Sequence, residues 1–330
     1  MMKKFTLKRT LLAAVISGLC SQSVFAFEQS RSVDCIAPAA PGGGWDFTCR
    51  TIGKVITDLK LIDGAVQTNN MPGAGGGVAF AHVVGKRKKD DALMVASSTA
   101  TVTRLAQRQF AGMDPERVRW AGAVGADFGV IAVGKNSPFN TLEDLIAAMK
   151  ADANSVKFAG GSAAGGWDHL KVLMAAKSGG VTDLKHISYL AFAGGAEALT
   201  QVVGGHISAF TGDVSEVIGF LESGDLKVLA VLSDERLPAP LDNLPTAKEQ
   251  NIAAVAPNWR GFYVPKDISD EAYQWWVDSL DQVYASEQWR EVMRKSGLMP
   301  FHKTGEEFKT FVDEQVQEIR ALSTEVGLIR

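Results

Sequence analysis

Four stretches of the chain gather residue types that bind anions. Pro41-Gly42-Gly43-Gly44-Trp45-Asp46 follows an apolar run, 33–40, that reads as a buried strand, and precedes an amphipathic run, 47–59, that reads as a helix. Glycines in a strand-to-helix turn leave backbone N–H groups uncovered. The helix N-terminus adds free donors and a partial positive charge. Such a turn suits a carboxylate or a phosphate. The tetrad Gly-Gly-Trp-Asp recurs at 165–168, closing a turn that holds Gly161, Ser162, Ala163, Ala164 and Gly165. That turn also lies between a strand-like run, 155–159, and a helix-like run, 169–177. Asn70, Pro72 and Gly73 open a third polar turn, and Ser97, Ser98 and Thr99 end a further strand with three hydroxyls. Two glycine turns a third of the chain apart suggest two lobes presenting similar jaws to one ligand.

Signatures of enzymes are incomplete. The glycine turns lack the Gly-Lys-Ser/Thr of a Walker loop, and Gly73-Ala74-Gly75 lacks the third glycine of a dinucleotide fingerprint. Residues 160–164 miss a nucleophile elbow at the last position. The five histidines are dispersed with no metal-ligand spacing, and no cofactor or metal is expected. His169, beside the second turn, reads as a packing or surface residue. Asp46 and Asp168 read as carboxylates complementing the first turn of their helices. Trp45 and Trp167 would either wall the cleft or pack in the core. Arg260, ahead of a short strand, is the guanidinium best placed for a bidentate carboxylate contact, the alternative being a surface arginine.

The elements that must position these residues alternate strand, turn and helix three times in the first hundred residues. This pattern belongs to parallel sheets flanked by helices, where ligands sit at the carboxyl ends of the strands. The stretch 118–133 is apolar and dotted with glycine, and reads as one strand ending a first lobe and another starting a second. Thr141 with Asp144 caps a helix over 141–150. Further strand–helix units follow at 156–177, 186–203 and 206–221, then a strand at 227–232. The three prolines of 237–245 mark a surface connection. A strand at 261–264 precedes a helical tail broken near Gly297 and Pro300. The expected fold is α/β with two lobes, each a mostly parallel sheet flanked by helices. Residues 27–125 and 236–330 form the first lobe and 126–235 the second. The hinge lies near 121–131 and 230–236.

The 330 residues suffice for two domains, and 46% hydrophobic with 22% charged residues is ordinary for a globular chain. Residues 1–26 read as a cleaved signal peptide. Lys3, Lys4, Lys8 and Arg9 precede an apolar run too short to span a bilayer, and Val24-Phe25-Ala26 fits a cleavage site. Removing these four basic residues from 34 leaves 30 against 37 acidic ones, a poor balance for nucleic acid. Any anionic ligand is therefore held by a local site. Of three cysteines, Cys35 and Cys49 remain, and an even pair in an exported chain suggests a disulfide at the base of the first glycine turn. Two buried free thiols are the alternative.

These residues resemble a known family. Cys35-Ile36-Ala37-Pro38 followed by 41–46 looks like the first ligand loop of the tripartite tricarboxylate transporter substrate-binding proteins, the Bug family. Asn70-Met71-Pro72-Gly73-Ala74-Gly75-Gly76 is similar to that family's second glycine turn, and Gly161-Ser162 through Gly165 to its second-lobe loop. Gly194-Gly195-Ala196-Glu197, Leu229-Ala230-Val231 and Leu244-Pro245-Thr246-Ala247 match in order, so the resemblance spans the mature chain. The two cysteines, 260–264 and Tyr273-Gln274-Trp275-Trp276 resemble its tricarboxylate-binding members most. The resemblance implies a monomeric periplasmic receptor of the type II periplasmic-binding fold. Such a receptor clamps a carboxylate between the glycine loops and hands it to a small and a large membrane subunit. Citrate is the expected ligand, with a dicarboxylate or another organic acid as the alternative. Pro41, Gly42, Gly43, Gly44, Trp45 and Asp46 would take one carboxylate together with Gly161, Ser162, Ala163, Ala164 and Gly165. Asn70, Pro72, Gly73, Ser97, Ser98, Thr99 and Arg260 would take the others. Trp45 and Trp167 depart from the small residues many members carry there. A rival from another class is an exported hydrolase with Ser162 as nucleophile and His169 as base.

Overall fold

In the computed structural model, which describes residues 32–330 apart from residue 111, the expected alternation begins with the first element. The proposed leader lies outside the described residues. β1 (Val33–Ala37), α1 (Gly44–Asp58), β2 (Val66–Asn70), α2 (Gly77–Lys86), β3 (Leu93–Ser97) and α3 (Thr99–Ala106) follow in order. Their strands run parallel as β2-β1-β3. All of β3 is buried, as the apolar run Leu-Met-Val-Ala requires, whereas β2 alternates half-buried and exposed residues and forms the edge. Cys35 in β1 and Cys49 in α1 form the disulfide, which ties the strand before the first glycine turn to the helix after it.

β4 (Val118–Gly134) is one strand of 17 residues, where two were expected. Register shifts between Trp120 and Gly122 and between Ala123 and Gly125 show why. The glycines that read as breaks fall at bulges, which bend a strand without ending it. The second lobe then adds α4 (Leu142–Ala151), β5 (Lys157–Gly160), α5 (Trp167–Ser178), β6 (Ser188–Ala191), α6 (Gly195–Val203), β7 (Ala209–Asp213), α7 (Val214–Glu222) and β8 (Leu226–Leu232). Thr141 and Asp144 form the expected capping box on α4.

Residues 233–256 stay with the second lobe. The Val231 N–H donates to the Pro245 carbonyl and the Ala256 N–H to that of Leu232, while Leu237, Leu241 and Leu244 are buried against α6 and α7 residues. The prolines of 237–245 therefore punctuate a packed segment. The chain returns to the first lobe at Ala256–Pro257, not at 230–236, and the second lobe extends past residue 235.

β9 (Pro257–Pro265) inserts antiparallel between β3 and the first part of β4. α8 (Asp270–Ala285), α9 (Glu287–Ser296), β10 (Lys303–Thr304) and α10 (Gly305–Glu325) complete the first lobe. β4 pairs with β9 up to Phe128 and with β7 and β8 from Gly129 onward, so a single strand carries both sheets. The ladders are mixed: the outer pairs are parallel and those around β4 and β9 antiparallel. Tyr273 and Trp276 are core residues of α8, with Tyr273 Oη donating to the Trp120 carbonyl and Trp276 Nε1 to that of Asp91.

Opening the Cys35–Cys49 bridge, which spans 14 residues, should lower unfolding stability by about 3 kcal/mol in the chain-entropy view. Denaturant unfolding of Cys35→Ala/Cys49→Ala beside the oxidised protein measures this. A difference below about 1 kcal/mol would mean that the staple adds nothing to β1 and α1.

Candidate functional site

The turns after β1, β3, β5, β6 and β7 meet in one cavity between the lobes. The first lobe contributes Gly43, Gly44, Trp45 and Ser98, and the second Gly161, Ser162, Gly194 and Gly195. Helices α1, α3, α5, α6 and α7 all begin at this place, so their free N–H groups and dipoles favour negative charge there. Close approach explains the glycines. A Cβ on Gly44 would lie 2.6 Å from Arg260 Nη1, and one on Gly161 2.7 Å from the Gly195 nitrogen.

The protein sets its own carboxylates in this field. Asp168, Asp213 and Glu216 line the cavity. Lys171 Nζ, fully buried, donates to Asp168 Oδ1 at 2.9 Å and to Asp213 Oδ1 at 2.5 Å. Arg260 Nη2 donates to Asp213 Oδ2 at 3.0 Å and to Asp127 Oδ2 at 2.6 Å. Burial alone would raise the Asp213 carboxyl, but Lys171 and Arg260 outweigh it and hold the group below the usual carboxylate range. Burial would likewise lower Lys171, and the two aspartates keep it charged. Among the described residues no cation forms an ion pair with Glu216. Its Oε1 accepts the Gly44 N–H of the opposite lobe at 3.1 Å and its Oε2 accepts the Asp213 N–H at 3.0 Å. Burial, with the charges of Asp213 and Asp168, pushes its carboxyl up to about 8.

The structure sorts the residues expected to meet a ligand. Gly43, Gly44, Trp45, Ser98, Gly161 and Ser162 line the cavity. Trp45 walls it, with Nε1 donating to Ser98 Oγ, whereas Trp167 is a buried core residue. Asp46 is a brace for the first turn: Oδ2 accepts from the Gly42 N–H and Arg50 Nε, and Oδ1 from Asn70 Nδ2. Burial would raise this carboxyl, and the bonds from Arg50, Gly42 and Asn70 hold it low. Asn70 also donates to the Ala39 carbonyl, so the 70–73 turn frames the 41–46 turn. Asp168 does the same for the second turn, accepting from the Ser162 N–H and Oγ. Ala164 and Gly165 are held from the other lobe, their carbonyls accepting from Arg104 Nη1 and Gln107 Nε2 of the α3 segment. Ser97 is buried behind Ser98, and Thr99 Oγ1 donates to the Pro257 carbonyl.

Arg260 requires a correction. It is 1% exposed and is not among the residues that line the cavity, its Nη2 engaged by Asp127 and Asp213 while Nη1 lies against Gly44. Isolated in the sequence ahead of a strand, it carried no sign of two aspartates 133 and 47 positions away. Lys171, Asp213, Glu216 and Asn258 were not anticipated either. A buried lysine at i+3 from Asp168 was the available signal. His169 stacks on Tyr189 with ring centroids 4.7 Å apart, and its Nδ1 accepts the Gly165 N–H. Burial pushes it down to about 4. It forms no bond to Ser162, whose Oγ donates to Asp168, so the pair a hydrolase would need is not made.

The cavity holds about 40 Å³ of space. That is room for about three waters, against the ~300 Å³ or more of a small-molecule pocket. The lobes are drawn together: the Ala40 N–H donates to the Ala193 carbonyl across the cleft.

The profile described as "Tripartite tricarboxylate transporter family receptor" matches residues 57–328. A curated relative from Cupriavidus necator, the "UPF0065 protein in gbd 5'region", is 24% identical, and the match covers 100% of this chain and 99% of the relative. Among solved structures, the fold resembles that of MatC from Rhodopseudomonas palustris with bound malate (TM-score 0.78, 17% identity, 88% of this chain and 98% of that one). It also resembles R. palustris Rpa4515 with adipate (TM-score 0.81, 20% identity, 90% of this chain and 97% of that one).

Glu216 gives the site a pH signature. As pH climbs past 4.5, the unfolded chain releases this proton while the folded protein keeps it until about 8, so stability falls across that interval. His169 acts in the opposite sense, but only below its ordinary 6.5. Between about pH 6.5 and 8 the wild type should therefore lose melting temperature with rising pH, and Glu216→Gln should show a flatter profile. Equal slopes in the two proteins would contradict the buried, proton-bearing Glu216.

Proposed function

Because the chain belongs to the tripartite tricarboxylate transporter receptor family, we propose that this periplasmic solute receptor captures a tricarboxylate, citrate, and delivers it to the small and large membrane subunits of such a transporter. The supporting observation is the convergence of five helix N-termini and two glycine turns on one cleft. One ligand carboxylate enters between the 41–46 and 161–165 turns and takes the Gly44 N–H that Glu216 holds in this structure. Ser98 Oγ already accepts from Trp45 Nε1 and the Ala100 N–H, so it offers the ligand its proton. The 70–73 turn, Ser97 and Thr99 support this arrangement from behind, and Arg260 acts through Asp213. Export and removal of the leader near Ala26 bring the receptor to the ligand.

Citrate does not fit the present cavity. Entry requires the lobes to part about β4 and the Ala256–Pro257 crossing, and closure then excludes water and strengthens each hydrogen bond. A second reading, a dicarboxylate receptor of the same family, is favoured by the malate and adipate of the two R. palustris structures.

Calorimetric titration of residues 27–330 with citrate, then with other di- and tricarboxylates, tests the proposal. Saturable one-to-one citrate binding is expected. Gly43→Asp, which adds a negative charge at the N-terminus of α1, should weaken it at least tenfold, about 1.4 kcal/mol, with the melting temperature as a control for folding. Binding of another acid but not citrate would replace the ligand, and flat traces for the whole panel would refute a carboxylate receptor.

A further inference from the structure

The cavity wall formed by Asp168, Asp213, Glu216 and Asn258 is rich in acceptors. The carboxylate oxygens are occupied. Those of Asp168 and Asp213 receive Lys171, Ser162, Arg260 and Asn258, and those of Glu216 receive two backbone N–H groups. Asn258 differs. It is 3% exposed, its Nδ2 donates to Asp213 Oδ2 at 2.6 Å, and its Oδ1 is buried with no hydrogen-bond partner. The reversed amide would set an oxygen at 2.6 Å from a carboxylate oxygen, so the orientation is fixed by chemistry. Native proteins rarely leave such an oxygen unmatched without a reason.

Building on the carboxylate-receptor reading above, we propose that Asn258 is a specificity-determining residue whose Oδ1 accepts a hydrogen bond from a ligand hydroxyl, so that the receptor prefers hydroxy-substituted di- or tricarboxylates to their deoxy analogues. An ionised ligand carboxylate brings only acceptors and cannot satisfy Oδ1. An ammonium group would also donate, but it would be buried with no spare carboxylate oxygen to pair with, since those of Asp168, Asp213 and Glu216 are already occupied. A hydroxyl is a donor without charge. Asn258 lies in register with Asp127 near the end of the β4–β9 ladder and lines the cavity. A site that hydrogen-bonds a hydroxyl discriminates strongly against the analogue lacking it, because the buried partner is left unmatched.

The test is paired calorimetry on the mature protein: citrate against tricarballylate, and malate against succinate, each pair differing by one hydroxyl. The wild type should favour the hydroxy acid at least about tenfold in the pair it binds. Asn258→Ala, and Asn258→Leu, which keeps the volume, should reduce that ratio to within about threefold while the deoxy acid keeps its affinity. Either variant suffices, since the ratio cancels damage shared by both ligands. Equal binding of the two acids by the wild type would overturn the role of Asn258 and leave the receptor reading standing. A preference that survives in the variants would overturn it too. No binding of any acid would remove the receptor reading and this inference together.

Discussion

The carboxylate of Asp213 holds the molecule's interior in register. One oxygen binds Lys171 of the second lobe, and the other binds Arg260 and Asn258 of β9 in the first-lobe sheet. Its backbone ends β7 and caps α7. Three carboxylates and two cations could not be buried together singly, since each unpaired charge would be heavily penalised. Arranged as Asp168–Lys171–Asp213–Arg260–Asp127, each charge faces an opposite one. The chain crosses from one lobe to the other through this row. The turns that form the cleft are thus fixed relative to a common point while their lobes remain joined by few backbone segments.

The same row sets the electrostatics of the cleft. Five helix N-termini would make an indiscriminate anion trap. Asp168 and Asp213 offset part of that potential, and Glu216, which keeps its proton up to about pH 8, takes up an N–H that a ligand carboxylate would otherwise meet first. A ligand must match donors from both lobes and a largely occupied acceptor wall. Selectivity then arises from a few groups whose partners are incomplete.

What was legible in the sequence was local. The glycine turns, the Thr141–Asp144 cap, the strand–helix alternation and the cysteine pair depend on neighbours within about a turn or two, and periodicity and composition report these. The fates of Arg260, Lys171 and Glu216 depend on partners tens to over a hundred residues away. A lone arginine ahead of a strand has the same sequence appearance whether it meets a ligand or two aspartates. The crossing at Ala256–Pro257 was missed for a related reason. The prolines of 237–245 are local signals of a turn, but Leu237, Leu241 and Leu244 of the same segment are buried by tertiary packing. In β4 the glycines gave a true signal of irregularity, which a bulge satisfies as well as a break does.

The position of β9 has a consequence for how the chain acquires its structure. In the first-lobe sheet, β9 separates β3 from β4, so Val95 faces Tyr263 at a sequence separation of 168 that includes the whole second lobe. Closing so long a loop is entropically costly and slow. A chain emerging N-terminus first presents β2-β1-β3 with an apolar, unpaired β3 edge until residue 265 is available. The second lobe, whose β5, β6, β7 and β8 are contiguous in sequence, can assemble earlier on the distal part of β4 and carry β9 back to the gap. The lobe that begins first in the sequence is thus the one whose sheet needs the later strand β9 for completion.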